Sequence, residues 1–286
     1  MRLSTRSMLI MVIIMAFMVG TLGGSALARD KKVEFAYVEW ACATASVYVV
    51  KEVLESKMGY DVTLTPVSAA AMWQALASGD VDAITTAWVP TTHGHYLDRV
   101  KDRVDDLGPN LVGTRIGLVV PTYVTIDSIA EMNDHAAKFD RQITGIDPGA
   151  GIMSKTEEVM KVYGIDNMNL MESSDAMMTA VLKDKVANRQ WVVVTGWTPH
   201  WKFGAWDLKY LEDPEGVYGG DEYINTVVRK DLKKDKPELY AFLDAFEWSA
   251  ADIQTVMAWT EETGDSEASA KRWVEENSAK VATWLP

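Results

Sequence analysis

A single cysteine in 286 residues excludes any disulfide within the chain, so Cys42 reads as a buried small residue and stability must come from an apolar core. Histidine is nearly as sparse, at four residues. His93 and His95 form an H-x-H pair, yet no second cluster supplies the third and fourth ligands of a metal site, so neither metal nor cofactor is expected. No nucleophile-base spacing points to an enzyme. Positive charge is also short: 28 Lys and Arg against 41 Asp and Glu leave a net charge of −13. Such a surface repels phosphate backbones, which excludes a nucleic-acid partner.

Apolar runs of transmembrane length are missing as well. The run from Met8 to Met18 is too short to span a bilayer. Flanked by Arg2 and Arg6, and followed by Ser25-Ala26-Leu27-Ala28, it reads as a cleaved export signal over residues 1–28. Losing Arg2 and Arg6 with it takes the net charge from −13 to about −15. No cysteine stands near the cleavage point for a lipid anchor, so the expected location is free in the periplasm.

Extended and helical runs then alternate. Val33–Val38, Asp61–Val67 and Ala83–Trp88 read as strands, with helices over Thr44–Lys57 and Ala69–Ala77. The order repeats with strands over Gln142–Ile146, Asn169–Met171 and Trp191–Trp197 and helices over Ser154–Tyr163 and Asp175–Lys185. The pattern predicts an α/β class with parallel sheets, divided into two lobes. Gly113–Val124 and Ile224–Arg229 read as two crossings between them, a hinge. The expected limits are 29–118 with 226–286 for lobe one and 119–225 for lobe two. Trp248, Trp259, Trp273 and Trp284 in the helical tail read as packing anchors.

Two strand ends carry nearly the same letters, Ala87-Trp88-Val89-Pro90 and Gly196-Trp197-Thr198-Pro199, each trailed by a histidine, His93 and His200. Trp40 ends a third run. In open α/β sheets ligands bind beyond the carboxyl ends of strands, which aims Trp40, Trp88 and Trp197 at a cleft. Indoles without an acidic partner suit a quaternary ammonium group, at about 0.5–2 kcal/mol per ring. Gly145-Ile146-Asp147-Pro148-Gly149-Ala150-Gly151-Ile152-Met153 runs a strand through a glycine-rich turn into a helix, where free amides suit an anion. The spacing is not that of a nucleotide-binding loop. His93 reads as a hydrogen-bond donor to the same anionic group.

These motifs, with Ala36-Tyr37-Val38-Glu39-Trp40, resemble the substrate-binding proteins of glycine betaine ABC transporters, the OpuAC-like family. The resemblance implies a type II-like two-lobe periplasmic binding protein fold with two hinge crossings. It implies that Trp40, Trp88 and Trp197 enclose a trimethylammonium group, while the Gly151 and Ile152 amides and His93 hold a carboxylate. Its implied partners are a small-molecule ligand, glycine betaine or similar, and an inner-membrane permease, with osmoprotectant uptake as the role. Choline, carnitine and dimethylsulfoniopropionate are the alternative ligands, and a metal-dependent hydrolase using the histidines is the alternative class. After the first tryptophan, where relatives often carry polar residues, this chain has Ala41-Cys42-Ala43.

Overall fold

The computed structural model describes residues 31–286, so the export signal expected over residues 1–28 lies outside the described residues. Lys32–Tyr37 forms β1, Ala41–Met58 α1, Asp61–Pro66 β2, Ala69–Ser78 α2 and Ala83–Val89 β3. Local chemistry sets several of these ends. The Ser68 hydroxyl accepts from the Ala71 amide at the start of α2, and Gly59 and Gly79 end α1 and α2 at positive φ. Every residue of β3 is buried, Thr85 and Thr86 among them.

Gly94–Val100 forms α3 and Val104–Pro121 a strand of 18 residues, β4. Two short 3-10 helices, Ile129–Glu131 and Asn133–Phe139, precede β5 at Gln142–Thr144. Then come α4 at Gly151–Val162, β6 at Asn169–Met171, α5 at Asp175–Ala187 and β7 at Val194–Thr198. Lys202–Ala205 is α6, Leu208–Tyr210 β8 and Glu222–Arg229 β9. The tail is helical: α7 at Leu232–Asp235, α8 at Pro237–Ala245, α9 at Ala250–Thr263, α10 at Ser266–Glu276 and α11 at Ser278–Ala282. Helices α9 and α10 pack on α1, which returns the chain's end to the part of the fold where it began.

The strands order as β2-β1-β3-β9-β4-β7-β5-β6, with β8 paired to β4. Parallel pairing is confined to β2-β1-β3 and to β7-β5-β6. The expectation of parallel sheets is therefore corrected to mixed ones. Both crossing segments became strands, and a chain that enters and returns along one edge pairs antiparallel. The ladder divides on β4: residues from Val104 to Thr114 pair with β9, and Arg115 to Val119 pair with β7. This is a two-lobe α/β architecture with β4 shared by both lobes. Thr114 opposite Glu222 is the last rung before the changeover.

Candidate functional site

Strand ends deliver the indoles. Trp40 follows β1 in extended conformation, φ −84° and ψ 145°, and stands as the cap residue of α1. Trp88 is the penultimate residue of β3, and Trp197 occupies the same place on β7 in the other lobe. All three are at most 5% exposed. Together with Cys42, Thr92, His93, Ile116, Ile146, Ala150, Gly151 and Ile152 they line one cavity of about 300 Å³, counting space open to solvent. Every residue singled out from the sequence, Trp40, Trp88, His93, Gly151, Ile152 and Trp197, is on that wall. No carboxylate is.

One end of the cavity is built to donate hydrogen bonds. Helix α4 starts there with Ala150 as its cap residue and no side-chain cap. The Ala150 and Met153 amides bond back to Asp147 and Ala150 carbonyls, whereas the Gly151 and Ile152 amides take no partner among the described residues. Gly151 is required by contact rather than by backbone angle. A Cβ there would fall 2.0 Å from the Thr92 carbonyl oxygen, across the cleft.

His93 is wired to Trp88 twice. Its amide donates to the Trp88 carbonyl at 2.7 Å, and its Nδ1 accepts from the Trp88 amide at 3.1 Å. Nδ1 as acceptor puts the ring proton on Nε2, and that buried donor has no partner among the described residues. Burial, and next the neighbouring His95, push the His93 pKa down to about 3. The ring is neutral at physiological pH and offers one N–H. The Thr92 that abuts Gly151 is itself fixed, because buried Glu222 accepts from the Thr91 and Thr92 amides at 2.8 and 2.7 Å and from the Thr92 hydroxyl at 2.5 Å.

A sequence profile described as the substrate binding domain of ABC-type glycine betaine transport system matches residues 31–276. The chain belongs to that family. This substrate-binding protein is similar in structure to the glycine betaine/L-proline-binding protein ProX of Borrelia burgdorferi, with a TM-score of 0.87 and 39% identity, covering 90% of this chain and 97% of that one. Lactococcal OpuAC, in a closed conformation with glycine betaine, matches at a TM-score of 0.86 and 38% identity, covering 90% of this chain and all of the other. The glycine betaine/carnitine transport binding protein GbuC of Listeria monocytogenes is 47% identical over 153 residues. That match takes in 53% of this chain and 51% of GbuC, so it spans about half the length of that relative.

Behind the cavity of this substrate-binding protein lies a polar layer that sequence reasoning missed. The Trp40 indole donates across the cleft to Asp147 at 3.1 Å, and the Ala41 amide donates to Asp175 at 2.8 Å. The second trailing histidine differs from the first: His200 Nδ1 accepts from the Lys202 amide at 3.1 Å, leaving Nε2–H for Asp175 at 3.0 Å. Burial would raise the Asp175 pKa, but His200 and Lys202 hold it below the ordinary carboxylate value. The Lys202 ammonium is fully buried, 4.1 Å from the Trp197 ring centroid, and burial pushes its pKa down to about 8. Cys42, expected as a buried small residue, is 2% exposed on the cavity wall, its thiol pushed up to about 12 by burial and by Asp175.

The H-x-H pair splits. His93 lines the cavity, while the His95 ring lies against Tyr96, centroids 4.0 Å apart and tilted by 40°. Among the described residues no group of three or more His, Cys, Asp or Glu side chains could hold a metal ion. In the tail, Trp248, Trp273 and Trp284 pack ring against ring in the interior, and Trp259 lies half-buried under Arg272.

Proposed function

We propose that this protein captures glycine betaine, or a closely related carboxylate bearing a fully methylated ammonium, and presents it to the permease of an ABC importer. One observation carries the reading: a cavity walled by three indoles from two lobes, free of carboxylates, whose wall carries the unpartnered N–H groups of Gly151, Ile152 and His93 Nε2 besides that of the Trp197 indole. Trp40, Trp88 and Trp197 enclose the trimethylammonium group, whose diffuse charge is attracted to ring faces and whose methyl groups donate no conventional hydrogen bond. Charge-assisted bonds from the Gly151 and Ile152 amides and from His93 Nε2 hold the carboxylate. Choline fits less well because it leaves those donors without an acceptor.

The lobes in this reading are 29–118 with 226–286, and 119–225; β4 changes partner from β9 to β7 between Thr114 and Arg115, four residues before the first of these limits. The working site is outside the cytoplasmic membrane, reached after removal of residues 1–28. No helix among the described residues is long and apolar enough to cross a membrane.

Calorimetric titration with glycine betaine, glycine and choline tests the reading. Glycine betaine should bind most tightly and glycine should give no heat. Glycine binding as tightly as its trimethylated form would overturn it, because the three N–H donors of a primary ammonium need acceptors that a wall of indoles without a carboxylate does not supply.

A further inference from the structure

Helix α1 has no cap of its own. Its cap position is occupied by Trp40, which makes no side-chain cap bond, and Ala41-Cys42-Ala43 brings no acidic residue to the first turn. The first amide of the helix is satisfied from the other lobe, by Asp175 at the start of α5. That carboxylate is prepared for the task. His200 donates to it, the buried Lys202 ammonium adds to its charge stabilisation, and α5 is capped independently by Ser174. Asp175 does not line the ligand cavity.

We infer that Asp175 is a closure-specific positioning residue, a helix cap supplied in trans, which satisfies the α1 N-terminus only when the lobes meet and so tightens binding of any ligand that closes the cleft. The inference rests on the function proposed above. When the lobes part, the Ala41 amide has water as its partner and the dipole of an 18-residue helix has lost its counter-charge. The contact also fixes the backbone next to Trp40, whose indole is held by Asp147 on the same side. Closure therefore orients a cage ring through two carboxylates that the ligand never touches.

Ala41→Pro removes the donor alone. The first helical position favours proline, and Trp40 already holds the extended backbone that a residue before proline needs. Asp175→Asn removes the charge. Each variant should bind glycine betaine about tenfold more weakly, the size of a lost helix cap, and should weaken by the same factor every methylated ammonium compound the wild type binds. The double variant should be no weaker than the worse single one. The ligand-free melting temperature of Ala41→Pro should not fall, which separates this role from a merely structural one. Spin labels at exposed Lys101 and Lys161 give the closed fraction without reference to affinity, and Ala41→Pro should lower it. Wild-type affinity in Ala41→Pro, additive losses in the double variant, or an equal closed fraction would each overturn the inference. A wild type that binds no methylated ammonium compound overturns the proposed function instead, and the label distances still decide the cap.

Discussion

Gly151→Ala adds one methyl group to the chain, and its effect can be worked from the geometry. The new Cβ would sit 2.0 Å from the Thr92 carbonyl oxygen and 2.7 Å from the Thr92 carbonyl carbon, so the lobes must separate there by roughly 1.5 Å to reach ordinary contact. Thr92 cannot retreat, since Glu222 holds its amide and hydroxyl. The separation carries the Gly151 and Ile152 amides away from the carboxylate. A hydrogen bond to a charged group is worth about 1.5–3 kcal/mol, and weakening both should cost at least about 2 kcal/mol, roughly a 30-fold loss of affinity. The ligand-free protein should be unharmed, because no positive φ stands at this position and alanine is a better helix former than glycine. Titration calorimetry against glycine betaine, with a thermal melt of the ligand-free protein, gives both quantities. Gly220→Ala, where a Cβ meets nothing within 4 Å, is the control. Affinity within about threefold of wild type in Gly151→Ala refutes the reasoning.

Trp197→Ala should weaken betaine binding by more than about tenfold, from lost ring attraction and lost apolar contact, whereas Trp273→Ala should cost about 3–5 kcal/mol of stability by emptying the tail core; a denaturant melt and a titration separate the two. His93→Ala should narrow the preference for glycine betaine over choline by about tenfold or more, through loss of one charge-assisted bond, and an unaltered ratio in paired titrations counts against the assigned donor. His93 and His200 are held neutral with pKa values pushed down to about 3 and about 4, burial being the first cause of each. Unfolding returns them to about 6.5, so the unfolded chain binds the extra protons and stability falls as pH drops below that value, by about 1.4 kcal/mol per unit for each histidine. The ligand-free melting temperature should be lower at about pH 5 than at about pH 7, and His93→Asn should shrink the difference; a midpoint that does not fall, or a variant with the full difference, rules this out.

Most elements were legible because their apolar periodicity is local. Asn169–Met171 matches the strand expected from the sequence; β2, β3 and α2 differ from expectation by a residue at one end, and β1 by a residue at each end. The two helix starts that were misplaced share a cause. Helices expected from Thr44 and Ser154 begin at Ala41 and Gly151, three residues earlier. Thr44 and Ser154 look like caps, whereas the true first turns lack a local one. At α1 the partner comes from Asp175, 134 residues away, and at α4 the amides are left to the cavity. The first half of β4 was not read as strand because Asp105, Asp106, Gly108 and Pro109 have the composition of a turn. Pairing with β9 overrides that preference, with register breaks at Asp106/Pro109, Pro109/Leu111 and Val112/Thr114. Trp40, Trp88 and Trp197 could be found because strand ends mark a cleft. Asp147, Asp175 and Lys202 serve through contacts across the cleft or behind a ring, and no spacing along the chain encodes these.

Strand β4 runs unbroken from one sheet into the other, with β9 laid beside it up to the changeover. A beam common to both halves ties the two sheets together, and the line where its partner changes falls between Thr114 and Arg115. The three indoles hang on strands of both sheets, Trp40 and Trp88 on one side of that line and Trp197 on the other, so any change of angle there alters the size of the cage itself.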